Sequence, residues 1–420
     1  MGVVGIFVLL GIAFALSNDR RRAVNWRILG WGLGLQFAMA LFALRTRAGV
    51  RLFTFLNDLA DAFVGFADAG IRFMFGDWPA AVVVQTPLST PGGGAGFRPA
   101  MVGFVLAVKV LPIIIFVASL MAVGYHLGIM QRIVALLARG LSKSMHISGA
   151  EALSTVGDIF LGMTEAPLLV RPYVARMTES ELFAVMCAGM ATISGSVLLA
   201  YVAMGVDAGY LITASFMSAP AAVMFAKIMI PETGVPETSD AARVSVPRLD
   251  VNIVDAAARG AGEGLQLALN VGAMLIAFVA LVSMCDKGVG WLGGLIGHPG
   301  WSLGRLFGAP LTPLAWVMGV PWSEAPFVGQ LLGTKTVLNE FIAYQMMTSH
   351  PALLSAKSLR IASFALCGFA NFGSLAIVLG GLGSMVPERR KDLARLGMRS
   401  IIAGSLATFL TGTIAGLIST

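Results

Sequence analysis

The chain has 420 residues, of which 57% are hydrophobic and only 12% charged, with a formal net charge of +7 and a mean hydropathy of +0.83. A soluble globular protein carries about 25% charged residues, so this composition excludes one. Runs of roughly 17–25 apolar residues recur, and each is long enough to cross about 30 Å of hydrocarbon as a helix. Because barrel strands would instead alternate over about ten residues, we predict an all-α membrane protein.

Eight apolar runs are predicted to span the membrane. The first is interpreted as a retained helix, because its positive charges follow the apolar run, whereas in a signal peptide they precede it. The three cysteines lie in or beside apolar segments without metal-ligand spacing, so we expect neither a metal site nor a disulfide framework. The predicted spans are 3–17, 28–44, 100–124, 182–204, 209–230, 265–284, 358–382 and 399–418.

The basic residues cluster in short loops, which indicates membrane topology and not nucleic-acid binding. Four basic segments fall on one side of an eight-span arrangement, predicted to be cytoplasmic with both termini outside. Arg45, Arg47 and Arg51 go against this rule. The four segments are 17–27, the connection with Arg132, Arg139 and Lys143, the 231–263 loop with Arg243, Arg248 and Arg259, and 387–399.

Three further segments are not predicted to cross the membrane. Residues 48–76 mix phenylalanines with Asp and Arg, as in an amphipathic helix lying in the interface. Residues 87–96, "PLSTPGGGAG", are predicted to be a flexible connector. The polar stretch 231–250 divides the chain into comparable halves.

Two apolar regions are interrupted by polar residues at their middle, and we predict that each enters the membrane, turns and leaves. They are hairpin 1 (147–173) and hairpin 2 (323–350). Irregular backbone at that depth is tolerated only inside protein or beside a wet cavity.

The two halves resemble each other in the order of their segments, and "AGMATISGSV" (188–197) aligns with "CGFANFGSLA" (367–376). We therefore predict an inverted repeat, with a site at the midplane where interrupted helices meet. The predicted division is 1–99 (two helices and the interfacial helix), 100–230 (first repeat), 231–264 (cytoplasmic linker) and 265–420 (second repeat).

Glu165 and Glu340 occupy corresponding hairpin tips, and ionisable residues inside a membrane usually face a cavity and serve function. The alternative is a buried structural acid paired with Lys or Arg. Lys335 is a candidate partner for one of these acids. Asn371 and Ser374 lie in a glycine-interrupted helix and either bind a ligand or link helices.

Asp158 precedes the tip of hairpin 1, and Thr192, Ile193 and Ser194 lie at the matching helix break. A carboxylate, a hydroxyl and freed carbonyls suit Na⁺. Asp158 alone can alternatively carry a proton, or cap the hairpin helix. Glu324, at the base of hairpin 2, is predicted to cap or to anchor at the interface. Aromatic residues such as Phe369 and Phe341 either pack or face a flat ring.

Four motifs stand out in these regions: "TEAPLLVRPYV" (164–174), "GVPWSEA" (319–325), "GTKTVLNEFIAY" (333–344) and "CGFANFGS" (367–374). In these motifs the chain resembles the concentrative nucleoside transporters, and the resemblance covers essentially the whole chain. It implies eight spans, two re-entrant hairpins and an inverted repeat, assembled as a homotrimer in the bacterial inner membrane. It also implies an elevator-type mechanism driven by a cation gradient, without enzymatic activity or a cofactor.

The resemblance implies a role for each matching residue. Glu340, Asn371 and Ser374 match ribose-binding positions. Thr164 and Glu165 match positions that face the nucleobase. The remaining matches are Val197 and Phe369 for apolar contacts with the nucleoside, and Thr192, Ile193 and Leu161 for the sodium site.

Two positions depart from the family pattern. Met163 stands where many members have a Gln that hydrogen-bonds the base, so purine or pyrimidine preference stays open. Asp158 stands where well-studied members have Asn in the sodium site, which leaves Na⁺ and H⁺ coupling both open.

The predicted function is cation-coupled nucleoside symport, with proton-coupled, purine-preferring transport as the alternative. An intramembrane hydrolase using Ser196 is disfavoured, because no His lies in the same membrane layer to act as its base. A passive channel is disfavoured by the two hairpins that close the midplane.

Overall fold

A computed structural model describes residues 1–76, 82–89, 95–102, 106–238, 250–295, 297 and 301–418. Within these ranges the chain forms helices joined by short turns, with one two-stranded antiparallel sheet.

The N-terminal part has three helices and the two strands. Asn25 and Thr46 cap the second and third helices, and Gly49 lets the third turn sharply against the carbonyl of Phe42. The predicted flexible connector 87–96 is wrong at both ends, which pair as strands with Ser89 opposite Ala95; its middle lies outside the described residues. These elements are α1 (Gly2–Ala15), α2 (Trp26–Arg45), α3 (Arg47–Phe75), β1 (Val82–Ser89) and β2 (Ala95–Val102).

The next part of the chain contains eight helices among its described residues. The predicted span 100–124 begins too early, because the strand continues to Val102 and helix is described only from Leu106. The predicted span 182–204 is two helices separated at 192–194. The eight helices are α4 (Leu106–Lys109), α5 (Leu111–His126), α6 (Ile129–Met145), α7 (Gly149–Gly157), α8 (Arg171–Val174), α9 (Glu179–Ala191), α10 (Gly195–Ala203) and α11 (Ala208–Met229).

The last part again alternates long and short helices. The predicted span 358–382 is broken between residues 366 and 372, and hairpin 2 consists of two helices with its turn at 338–339. The helices are α12 (Ile253–Leu295), α13 (Leu303–Gly308), α14 (Thr312–Val317), α15 (Ala325–Val337), α16 (Glu340–Ser349), α17 (Ala356–Leu366), α18 (Phe372–Met385) and α19 (Arg390–Ile418).

Helix α12 is much longer than the predicted span 265–284, with 43 residues. It starts inside the segment predicted as a linker, whose Arg243 and Arg248 lie outside the described residues. Arg259 near its start donates to both oxygens of Asp250, at 2.6 and 2.9 Å. This charged hydrogen bond holds the pKa of the Asp250 carboxyl below its ordinary value.

Six helical segments of the described chain are long and apolar enough to cross a membrane. Two apolar helices of 14 residues, α1 and α18, are shorter. The chain is therefore a multi-pass membrane protein, while the count of eight spans stays a prediction. The six segments are Trp26–Arg45, Ala107–His126, Glu179–Ala203, Ala208–Met229, Ile253–Leu295 and Pro387–Ile418.

The predicted basic loops meet at one end of the molecule. Arg27 donates to the carbonyls of Lys143 and Ser144. Arg399 contacts Asn18, and Arg389 donates to the carbonyl of Met177. These contacts join the loop before α2, the end of α6, the base of hairpin 1 and the start of α19. The predicted eight-span arrangement places these basic segments on the same side of the membrane.

The two hairpins start from opposite ends. The base of hairpin 1 lies at the basic end, where Gly149 N–H donates to the carbonyl of Thr238. The base of hairpin 2 lies at the other end, where Glu324 accepts hydrogen bonds from the backbone and hydroxyl of Ser355, each at 3.0 Å. Glu324 stands at the N-cap position of α15, but its side chain makes no capping hydrogen bond to that helix and instead holds Ser355, the N-cap residue of α17. Opposed entry is what an inverted repeat requires, although the predicted division into repeats and linker stays a proposal.

Two packing units frame the hairpins. Helices α9, α11 and α19 form a buried centre, in which Gly404 brings α19 against Met190. Helix α12 packs along α5 instead, and Gly260 and Gly264 let the two backbones approach so closely that an added Cβ would lie 2.6–2.8 Å from α5 atoms.

Candidate functional site

The carboxylate of Glu340 lies buried at the tip of hairpin 2, as the first residue of α16. Its Oε1 accepts a hydrogen bond from the Tyr201 hydroxyl at 2.7 Å, and its Oε2 accepts one from Asn371 Nδ2 at 3.0 Å. An ionised carboxylate has about four acceptor sites, so two protein donors leave capacity for a ligand hydroxyl.

Asn371 joins this carboxylate to the break between α17 and α18. Its Oδ1 caps α18 by accepting from Ser374 N–H at 2.7 Å, while its amide nitrogen donates to Glu340. The structure thus brings together the three residues predicted to bind ribose. The Ser374 hydroxyl makes no hydrogen bond to another described residue and lies in the first turn of α18.

Tyr201 belongs to this cluster although no motif in the sequence singles it out. It is fully buried on α10, and its ring lies 4.7 Å from that of Tyr344 and 5.5 Å from that of Phe341. The usable signal was spacing, because Tyr201 follows the predicted contact Val197 by four residues and shares its helix face.

Lys335 does not form the predicted ion pair. Its ammonium group is fully buried and donates to the carbonyl of Ala365 at 2.8 Å and to Thr408 Oγ1 at 2.9 Å. No salt bridge joins it to an acid among the described residues. It instead satisfies a carbonyl in the last turn of α17, where the helix dipole favours a positive charge.

The two helix breaks lie against each other. Phe369 N–H donates to the carbonyl of Thr192 at 3.2 Å. A Cβ on Gly368 would lie 2.9 Å from the carbonyl oxygen of Ala191, so glycine permits this approach. The predicted residues Thr192, Ile193, Val197 and Phe369 are therefore buried around a shared crossing point.

Asp158 is buried where α7 ends, and neither carboxylate oxygen has a hydrogen-bond partner among the described residues. It lies at the C-terminal end of α7, so the alternative that it caps the start of a hairpin helix is wrong. A Cβ on Gly189 would lie 3.8 Å from Asp158 Oδ1 and 2.9 Å from Met163 Cβ. Asp158 and Met163 therefore pack against the last turns of α9.

The rest of the hairpin 1 tip contacts α10 and α18. Gly195 N–H donates to the carbonyl of Phe160, next to the predicted residue Leu161. Thr164 packs on α18, where a Cβ on Gly381 would lie 2.6 Å from Thr164 Cγ2. Gly381 follows Ser374 by seven residues, or roughly 10 Å of helix at about 1.5 Å per residue.

Glu165 and Glu340 have separate surroundings. Glu165 is exposed, and its Oε2 accepts a hydrogen bond from Gly162 N–H at 3.4 Å. The three residues predicted to bind ribose are thus brought together, whereas Thr164 contacts α18 further along, and the predicted contacts of Glu165 and Thr164 with a base stay predictions.

Family profiles match three successive parts of this chain. Residues 4–78 match the N-terminus and residues 210–416 the C-terminus of Na⁺-dependent nucleoside transporters, and residues 107–208 match a "nucleoside recognition" gate domain.

Curated relatives match over nearly the whole chain. The nucleoside permease NupC of Helicobacter pylori is 41% identical, covering 99% of this chain and 96% of its own. An uncharacterized transporter of Haemophilus influenzae is 42% identical with the same coverage. The mouse sodium/nucleoside cotransporter 1 is 38% identical over 99% of this chain and 63% of its own.

Solved structures superpose on this chain over nearly its whole length. CNTnw in an inward-facing, substrate-bound state superposes with a TM-score of 0.89 at 43% identity, covering 100% of this chain and 98% of that one. A variant of CNTnw in an intermediate state gives the same TM-score at 44% identity, covering 99% of this chain and 98% of that one.

Proposed function

The chain belongs to the concentrative nucleoside transporter family, and on that premise we propose that it couples nucleoside uptake to a cation at the crossing of its two helix breaks. The observation that carries this proposal is the buried cluster of Glu340, Asn371 and Tyr201. It combines a carboxylate with spare acceptor capacity, an oriented amide and aromatic surface, which together suit a sugar bearing hydroxyl groups.

The ribose end of the nucleoside is proposed to lie at Glu340, Asn371 and Ser374. The Glu340 carboxylate would accept from sugar hydroxyls, and the Ser374 hydroxyl is available to donate. Because Thr164 contacts α18 roughly 10 Å further along, an elongated ligand lying beside α18 would place its base towards Thr164 and Glu165. Val197 and Phe369 would supply apolar contacts.

Met163 is proposed to set base preference through shape. Its thioether cannot donate and accepts only weakly, so a base would lose a strong hydrogen bond at this position. Uptake of adenosine and uridine should be compared in wild type and in Met163→Gln. Because a Gln amide can both donate and accept a hydrogen bond, we expect Met163→Gln to change the ratio of adenosine uptake to uridine uptake. An unchanged ratio would show that Met163 does not contact the base.

The coupling cation is proposed to bind at Asp158, with Thr192, Ile193 and Leu161 completing the site. The residues fit a cation, since both oxygens of the buried Asp158 carboxylate are unpartnered among the described residues. Its neighbour Gly189 lies in the last turns of α9, where carbonyls lack helical partners and the dipole is negative. Oxygen ligands of this kind suit Na⁺, and we place Na⁺ ahead of H⁺.

Asp158→Asn separates the two ions. With Na⁺, Asn keeps an oxygen ligand, so uptake should persist with weaker Na⁺ dependence. With H⁺, Asn removes the titrating group, and coupling should be lost. Two measurements distinguish these outcomes. The first compares nucleoside uptake with and without Na⁺ at a fixed starting pH, and the second follows the change in external pH during uptake. Full wild-type uptake without Na⁺ and with external alkalinisation would decide for protons.

Elevator motion and a homotrimer complete the proposal. Helix α12 packs along α5, and only 12% of its most apolar part is buried. An apolar surface of this extent suits a contact between copies. The hairpins and broken helices would move as one body against this pair. Native mass spectrometry of the purified protein tests the trimer, and a monomer would contradict it.

Glu340→Gln tests the nucleoside site. The change keeps the shape but replaces one acceptor oxygen by a donor, so we expect loss of nucleoside binding while assembly is retained. Glu388→Gln is the matched control, because Glu388 is exposed in the turn before α19. Wild-type uptake by Glu340→Gln would refute the assignment.

A further inference from the structure

An apolar groove lies between α2, α6, α7 and α11, and none of the residues proposed to contact the nucleoside or the cation lines it. Its volume is about 560 Å³, within the usual range of roughly 300–1,000 Å³ for ligand pockets. The wall is made mainly of apolar side chains. They include Leu35, Met39, Leu136, Leu137, Val156 and Phe216.

One end of this groove is cationic. Lys143, an exposed residue in the last turn of α6, lines it. Arg27 lies beside it and donates to the carbonyls of Lys143 and Ser144, both at 3.3 Å. These contacts use two of the five N–H donors of its guanidinium group. No Asp or Glu is among the described lining residues, so the end of the groove carries positive charge without a compensating acid.

Trp31 marks the boundary between the cationic end and the apolar wall. It follows Arg27 by four residues on the same face of α2, lines the groove and remains 47% exposed. Tryptophan favours the headgroup level of a bilayer. The groove belongs to the end of the molecule where the basic loops meet, and basic pockets between helices on the cytoplasmic side bind anionic lipid headgroups.

We propose that this groove binds an anionic phospholipid, with its phosphate at Arg27 and Lys143 and one acyl chain along the apolar wall. The occupant would support hairpin 1 from outside, because Val156 and Ile159 of the wall stand on either side of Asp158 in sequence. It would also cover α11 at Pro220, whose missing N–H frees a carbonyl one turn earlier. This inference does not depend on which solute is carried.

Fluorescence quenching of Trp31 tests the proposal in the full-length protein reconstituted in nanodiscs. The probes are brominated phosphatidylglycerol and brominated phosphatidylcholine, and Trp31→Phe supplies the signal of the other tryptophans for subtraction. We expect stronger quenching of Trp31 by the anionic lipid. Lys143→Gln should weaken that preference about fivefold, as for one basic residue beside an anionic headgroup. Equal quenching by both lipids in wild type would overturn the proposal, leaving ordinary lipid contact.

A second experiment blocks the groove with a side chain. A Cβ on Gly140, which lines the groove, would meet no protein atom within 4 Å, so a side chain can begin there and Gly140→Leu is the variant chosen to fill the groove. We expect it to reduce Trp31 quenching. Gly11→Leu is the matched control, because Gly11 is equally open and lies on α1, which does not line the groove. Quenching that is undiminished in Gly140→Leu, or equally diminished in Gly11→Leu, would contradict an acyl chain in this groove.

Discussion

The two hairpins resemble each other in sequence position but differ in how their polar groups are satisfied. At the tip of hairpin 2, Glu340 accepts two hydrogen bonds from buried protein donors. In hairpin 1, the side-chain oxygens of Ser154, Thr155 and Asp158 are buried without described partners. Because unsatisfied buried polar groups are costly, we propose that hairpin 1 depends on a bound ion for part of its order, whereas the Glu340 carboxylate at the tip of hairpin 2 is held by protein donors.

This difference suggests how coupling arises. If a cation satisfies Asp158, it stabilises the hairpin 1 tip that also carries Thr164 and Glu165. Nucleoside affinity would then rise with cation binding, and cation affinity would rise with nucleoside binding by the same factor. The preformed cluster at Glu340 would supply recognition in either state.

The largest expected effect comes from removing the buried donor that joins hairpin 2 to α17 and α19. Lys335→Met leaves the carbonyl of Ala365 and the hydroxyl of Thr408 without this donor, and we expect a loss of about 1–3 kcal/mol in the free energy of unfolding for each unsatisfied group. Thermal unfolding of purified protein measures it. Lys391→Met, at an exposed position in α19, should change stability little. Similar stability of the two variants would show that hairpin 2 does not rely on Lys335.

The same chemical change should act in opposite directions in the two hairpins. In Na⁺-free buffer, Glu340→Gln should destabilise by about 1–3 kcal/mol, because one of the two donors to the carboxylate loses its acceptor. Asp158→Asn should instead be neutral or stabilising, because it replaces a buried carboxyl group that has no hydrogen-bond partner among the described residues by a neutral amide of the same shape. Unfolding curves with and without Na⁺ check both signs. Destabilisation by Asp158→Asn in Na⁺-free buffer would remove the contrast between the hairpins.

A smaller effect is expected at Tyr201, which links α10 to hairpin 2. Tyr201→Phe keeps the ring against Tyr344 but removes a hydrogen bond to a charged group, with an expected cost of about 1.5 kcal/mol. Nucleoside affinity should fall roughly tenfold, a change that calorimetric titration resolves. Tyr173→Phe is the control, since Tyr173 donates no hydrogen bond to a described residue. Unchanged nucleoside affinity in Tyr201→Phe would show that Tyr201 does not contribute to nucleoside binding.

The smallest effect concerns the contact between the hairpin 1 tip and α18. In Gly381→Ala the new methyl group would lie 2.6 Å from Thr164 Cγ2, so the tip must shift and nucleoside affinity should decrease a few-fold. Gly380→Ala, where a Cβ meets nothing within 4 Å, should stabilise the helix by up to about 1 kcal/mol without changing affinity. Equal affinities of the two variants would place Thr164 outside the binding region.

Much of this arrangement was predictable because membrane helices leave strong signals. Apolar length located the six described segments that are long enough to cross a membrane, and polar residues between apolar arms located the turn at 338–339 and the meeting of Glu340 with Asn371. The 43-residue α12 was underestimated, because its polar first turns resemble a linker. The β1–β2 sheet was missed, since its glycine- and proline-rich sequence favours a loop. The partners of Lys335 depend on the packing of α15, α17 and α19, which no local pattern encodes.

Coupling between cation and nucleoside can be measured in a single titration of the purified wild-type protein with adenosine and with uridine, at fixed pH, with and without Na⁺. We expect Na⁺ to raise nucleoside affinity by about 5- to 150-fold, with a reciprocal rise in Na⁺ affinity. Nucleoside affinity that is independent of Na⁺ and also of pH would contradict cation coupling through hairpin 1.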